Sequence, residues 1–212
     1  MEIGKNYEDL IHYRKGDFMI IWINGAFGSG KTQTSYELHR RIPNSVVFDP
    51  EKTGFFINKN IPKEISKQDF QDFSIWRELN YTTLKYIDSE YNGIIIDPMT
   101  IVNPQYFEEI VTKLRNDGVI VNHFVLCASK ETLIKRLRSR GERKNSWGAK
   151  QIERCIKGLS NDIFKHRIET DQMSIENVAE TIASMLDISL LDDNRNKLSK
   201  RLDRIKIHVK QM

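Results

Sequence analysis

Only two cysteines, Cys127 and Cys155, occur in the 212 residues, and their spacing is that of neither a metal-binding nor a redox pair. A disulfide-stapled domain and a zinc module are excluded, and two free buried thiols are expected. No apolar run approaches the roughly 18 residues of a membrane-spanning helix. The first 18 residues mix Glu2, Lys5, Glu8, Asp9, Arg14, Lys15 and Asp17 without an apolar segment. They do not read as a secretory signal, so the chain is expected to stay in the cytoplasm. It also lacks an internal repeat, a low-complexity tract, and the N-K-x-D segment that would recognise guanine, which disfavours a GTPase.

What is present suits one soluble domain with a sizeable core, at 39% hydrophobic and 29% charged residues. The net charge of +4 is unevenly spread. Arg195, Lys197, Lys200, Arg201, Arg204, Lys206 and Lys210 stand against Asp203 alone at the C-terminal end, and a second basic cluster spans 130–144. These two places, rather than a general basic surface, are expected to meet anions, and no nucleic-acid partner is expected.

Apolar runs predict buried strands at 19–23, 45–48, 93–96 and 119–126, with a short fifth at 168–170. Helices are predicted at 31–41, within 66–91, and at 104–115, 130–140, 149–159 and 174–186. Strands alternating with helices imply parallel crossovers, hence a three-layer α/β/α fold on a five-stranded parallel sheet. The expected organisation is an N-terminal extension 1–18, a core domain 19–190 and a basic amphipathic segment 191–212.

Gly25-Ala26-Phe27-Gly28-Ser29-Gly30-Lys31-Thr32 fits G-x-x-x-x-G-K-[S/T], directly after an apolar strand and into a helix. Glycines let backbone N–H groups curl around a β-phosphate, and the helix aims its positive end at the same place. Lys31 is expected to reach the β- and γ-phosphates and the Thr32 hydroxyl to ligate Mg²⁺, so ATP and Mg²⁺ are the implied cofactors.

Asp97 ends the third strand, either as a Mg²⁺-holding carboxylate or as the start of an Asp-Pro turn. Asp49 ends the second strand and faces the same choice, between orienting or deprotonating an acceptor hydroxyl and opening a turn before Pro50. Arg136 and Arg140, four apart on one helical face, lead into the glycine-bounded loop 141–148, the pattern of a lid over transferring phosphates. Phe70, Phe73, Trp76, Tyr81 and Tyr86 are expected beside a substrate cleft or in the core.

With these pieces in order, residues 19 to about 190 resemble the P-loop small-molecule and nucleoside monophosphate kinases, Leu133-x-x-Arg136-Leu137-x-x-Arg140 matching their lid helix. That resemblance puts Arg136 near the adenine and Arg140 on the phosphates. MIIWINGAFGSGKTQT, DPEKTGF, PMTIVNPQYF, ASKETLIKRLRSR and KNSWGAKQIERC are similar to the tunicamycin resistance proteins of bacilli. The resemblance implies an ATP-binding protein that resists a nucleoside antibiotic and associates with the membrane through its C-terminal segment. Two functions fit: phosphorylation of a hydroxyl on the antibiotic, or ATP-dependent sequestration without chemistry. In the tail itself, Leu198, Leu202, Ile205 and Val209 form an apolar helical stripe with Lys200, Arg204 and Lys206 elsewhere around it. That pattern suits either an anionic membrane surface or docking on the protein's own body.

Overall fold

In the computed structural model, residues 18–143 and 145–210 are described, so the expected extension lies outside them apart from Phe18. The chain runs β1 (Met19–Gly25), α1 (Lys31–Arg41), β2 (Ser45–Val47), α2 (Pro50–Asn60), two 3₁₀ turns (Lys63–Ile65, Phe70–Asp72) and α3 (Ser74–Glu90). It continues through β3 (Ile94–Pro98), then α4 (Pro104–Phe107) and α5 (Lys113–Asn116), joined by a π-helical turn at Glu108–Thr112. β4 (Val121–Cys127), α6 (Lys130–Ser139), α7 (Trp147–Leu159), β5 (His166–Glu169), α8 (Ile175–Met185) and α9 (Lys197–Lys210) complete it.

All five strands pair in parallel in the order β2-β3-β1-β4-β5. β1 is central and buried along its whole length, which is why it carries an unbroken apolar run. One face of the sheet, through Ile21, Ile23, Ile96 and Phe124, packs on Leu38 of α1 and on Val178 and Ile182 of α8. The other, through Trp22, Ile95 and Val125, packs on Trp76 and Leu84 of α3 and on the 104–116 run. Because β3 and β4 flank β1, their carboxyl ends frame whatever β1 presents, the usual ligand position in open α/β sheets.

Of the two places left open for the aromatics the core is the one mainly observed, and the expected turn after Asp49 is corrected. The aromatic segment is mainly core: Phe73, Trp76 and Tyr81 are buried, while Tyr86 points to solvent. α2 replaces the turn expected after Asp49. The Asp49 carboxylate accepts from the Glu51 N–H at 3.1 Å and Pro50 takes the first helical position, so Asp-Pro begins a helix here.

The C-terminal helix docks by charge. Lys200 Nζ lies 2.8 Å from Asp193 Oδ2 and Arg204 Nη2 lies 2.6 Å from Glu176 Oε1. Lys200 and Arg204 therefore face the body, and Leu198, Leu202, Ile205 and Val209 are left about half exposed or more. Among the described residues no helix is long and apolar enough to cross a membrane.

Candidate functional site

The loop between β1 and α1 holds its shape through glycine. Gly28 has φ +86° and Gly30 φ +102°, and a Cβ on Gly28 would stand 2.8 Å from the Leu133 carbonyl. Helix α1 starts at Lys31 with no side-chain cap and no acid in its first turn. Its first N–H groups thus lack a side-chain acceptor, and the positive end of the helix is open to an anion. Behind the loop, Thr100 Oγ1 donates to the Gly25 carbonyl at 2.8 Å. The Asn24 amide bridges β1 to the chain after β3, donating to the Ile101 carbonyl at 2.8 Å and accepting from the Ile101 N–H at 3.1 Å.

Lys31 folds back into the loop, donating to the Gly25 and Ala26 carbonyls at 3.0 and 3.2 Å. Burial pushes its ammonium down to about 8, with the Glu51 carboxylate opposing and the Arg140 guanidinium adding to the depression. A phosphate would restore the favourable field that burial has removed.

Three carboxylates share this end of the sheet. Asp97 is fully buried and neither of its oxygens has a hydrogen-bond partner among the described residues. Burial, and after it the charge of Asp49, holds its carboxyl well above the ordinary range. Asp49 is raised by burial against the Glu51 N–H and Lys52. Glu51 is raised by burial and by Asp49, with Lys31 opposing. Asp49, Glu51, Asp97 and Lys31 thus act on one another as a single electrostatic cluster. Perturbed carboxylates of this kind beside an anion cradle are characteristic of working sites.

The two arginines expected of a lid differ. Arg136 bridges the loop to the strand-end segment after β5, donating to the Ser29 carbonyl at 3.4 Å and to Thr170 Oγ1 and carbonyl at 3.1 and 2.5 Å. Arg140 forms no hydrogen bond or ion pair with a described residue, yet its guanidinium is half-buried and its pKa lowered by burial. On the opposite side of the loop Phe27 meets Trp147 edge-on, ring centroids 5.0 Å apart.

The structure therefore brings Gly25 to Thr32, Asp49, Asp97, Arg136 and Arg140 to one end of the sheet, as their places in the sequence require. Sequence reasoning overlooked Glu51, Thr100 and Asn24. The signal for Glu51 was present in Asp49-Pro50-Glu51: an N-cap, a first-turn proline and a first-turn acid.

This architecture defines a P-loop, nucleotide-binding protein of kinase-like fold. The AAA domain family matches residues 20–161, and a tunicamycin resistance protein of Deinococcus radiodurans superposes with a TM-score of 0.72 at 32% identity, covering 84% of this chain and 100% of that one. The chain belongs to the family these two matches define, as its sequence segments had suggested. A sugar kinase from Janibacter sp. HTCC2649 (TM-score 0.55, 16% identity, 81% of this chain and 96% of that one) shares the fold. So does a shikimate kinase from Bacteroides thetaiotaomicron (TM-score 0.56, 15% identity, 80% and 99%). No curated protein sequence matches significantly.

Proposed function

We propose that this protein is a phosphotransferase that moves the γ-phosphoryl group of ATP to a hydroxyl of a tunicamycin-like nucleoside. The observation that carries the reading is the carboxylate pair of buried Asp49 and half-buried Glu51 where β2 leads into α2: burial raises both, and the Glu51 charge acts on Lys31 of the phosphate loop. Glycine N–H groups and Lys31 hold the polyphosphate, and Asp49 takes the proton of the acceptor hydroxyl. The acceptor oxygen bonds to the γ-phosphorus as the bridging β–γ oxygen departs with ADP. Arg136 and Arg140 answer the charge on the transferring group.

The residues present fit Mg²⁺: Thr32 opens α1, and the buried Asp97 carboxylate has no hydrogen-bond partner among the described residues. Thr32 and Asp97 would hold the ion, which when bound neutralises β- and γ-phosphate charge. The name of the 32% identical relative supports the nucleoside antibiotic as acceptor. The exposed Leu198, Leu202 and Val209 of the stripe, which lie outside the cavity beside Gly30, flanked by the exposed Lys197 and Lys206, support a peripheral site on an anionic membrane, where a lipid-tailed antibiotic also partitions.

A second reading, sequestration of the antibiotic without chemistry, draws support from Asp49 itself, one of whose oxygens is committed to capping α2. Incubating the purified protein with ATP, Mg²⁺ and tunicamycin and weighing the drug by mass spectrometry separates them. A gain of one phosphoryl group, lost in D49N, is expected. Unmodified drug that is still bound would defeat the kinase reading.

A further inference from the structure

A cavity of about 600 Å³ opens beside Gly30, at the amino end of α1. Its size falls within the range of small-molecule sites. Arg136 of α6 forms one side, and Ile175, which opens α8, lies so close to Gly30 that a Cβ there would meet its Cδ1 at 3.1 Å. The outer side is built by Arg201, Arg204 and Ile205 of the C-terminal helix. A nucleotide whose phosphates occupy the glycine loop must lead its nucleoside away from Lys31, and this cavity begins at the loop's last glycine.

The C-terminal helix is fastened directly to the helix that carries the phosphate loop. Gln33 of α1 donates from Nε2 to the Arg204 carbonyl at 3.1 Å, and the Arg204 guanidinium is answered by Glu176. Arg201, one turn earlier, has no such partner: it lines the cavity and forms no ion pair or hydrogen bond with any described residue. Lysine and arginine on a solvated helix face commonly stand unpaired. Here the guanidinium borders a half-open cavity that begins at an anion cradle, and Arg140, likewise without a hydrogen bond or ion pair to a described residue, lines the same cavity.

We infer that α9 is the outer wall of the nucleotide site and that Arg201 contacts the bound nucleotide, so that ATP holds the C-terminal helix against the P-loop helix. The inference rests on the reading of Gly25 to Thr32 as the ATP site. A guanidinium offers five donors to phosphate or ribose oxygens, and an exposed arginine that gains a charged hydrogen bond on ligand binding is worth about tenfold in affinity. The same contact makes helix docking and nucleotide binding reciprocal: each strengthens the other by one factor.

The test measures ATP-Mg²⁺ affinity by calorimetry on the full chain, for wild type, R201A, R201K and R201E, with amide exchange followed over residues 197–210. R201A is expected to weaken ATP about tenfold, R201E further, and R201K to recover part of the loss. Exchange in the helix is expected to slow on ATP addition in wild type and less so in R201A. Because Arg201 is exposed and forms no ion pair or hydrogen bond with a described residue, equal thermal stability of the variants is expected and guards against a folding artefact. Equal ATP affinity of wild type and R201A overturns the inference. Failure of wild type to bind ATP overturns the ATP-site reading and the inference with it, a result distinguishable from the first.

Discussion

Arg195 donates through Nη2 to both oxygens of Glu37, at 2.9 and 2.7 Å, across 158 residues of chain. Glu37 lies on α1, so the segment before the last helix is clamped to the helix that begins at the phosphate loop. Arg195 also donates from Nε to Asp193 Oδ1 at 2.7 Å and from Nη1 to Asp203 Oδ2 at 3.0 Å. The Glu37 and Asp193 side chains are only 6% and 8% exposed. Removing one partner of a buried pair leaves the other charge uncompensated. R195M is therefore expected to cost about 3 kcal/mol, the low end for such pairs, because Arg40 and Lys200 still answer Glu37 and Asp193. An unchanged urea midpoint in R195M would contradict this.

The same clamp sets an acid dependence. The Arg195 hydrogen bond, then that of Lys200 against some burial, holds the Asp193 carboxyl well below its ordinary 3.8. A depressed folded-state pKa contributes stability that is present above 3.8 and disappears as pH falls through the folded value. The stability gap between wild type and R195M is thus expected to be full at pH 7 and to narrow below about pH 4. Denaturation curves at pH 7 and pH 3 provide the comparison, and a gap that widens in acid would refute the assignment.

Some of this was legible in the sequence because its causes are local. The phosphate loop needs glycine at two left-handed positions, Gly28 and Gly30, and the central β1 needs apolar side chains on both faces, so motif and strand are read together. The helix after Asp49 was not legible, since Asp-Pro begins both turns and helices, and Gly54 argues against a helix on propensity alone. Only the fold explains Gly54: a Cβ there would stand 2.4 Å from Cγ of Phe70. With α2 unread, Glu51 stayed hidden. The amphipathic tail was legible as a helix, but its orientation was not, because Glu176 and Asp193, which turn Lys200 and Arg204 inward, lie in other segments.

Trp147 is expected to report on the phosphate loop. Trp22 and Trp76 are fully buried in the core, whereas Trp147 is about half exposed and stacks edge-on against Phe27 of the loop. Nucleotide entry that moves Phe27 changes the surroundings of this indole. Intrinsic fluorescence is expected to shift on addition of ATP-Mg²⁺, and W147F to abolish the shift while preserving binding by calorimetry. A shift that persists in W147F would place the change elsewhere.

Asp97 offers a substitution expected to raise stability and lower function together. Its oxygens are buried without a hydrogen-bond partner among the described residues, and burial followed by the Asp49 charge raises its pKa well above 3.8. At pH 7 the unfolded carboxyl is ionised, so folding has either to bury that charge or to take up a proton. D97N removes the burden and leaves only an unpartnered amide, a change expected to add roughly 1–2 kcal/mol to the ligand-free protein. A raised folded-state pKa favours folding below the unfolded value and loses that advantage as pH rises through the folded one. The benefit of D97N is therefore expected at neutral pH and should fade toward pH 4. Function moves the other way. An amide offers Mg²⁺ no charge, so wild type is expected to bind ATP more tightly with Mg²⁺ than without it, and D97N to lose that difference. Melting curves with and without ATP, each with Mg²⁺ or chelator, test both halves. A D97N protein that is less stable than wild type at pH 7, or that keeps its Mg²⁺ dependence, would show that Asp97 serves the fold rather than the metal.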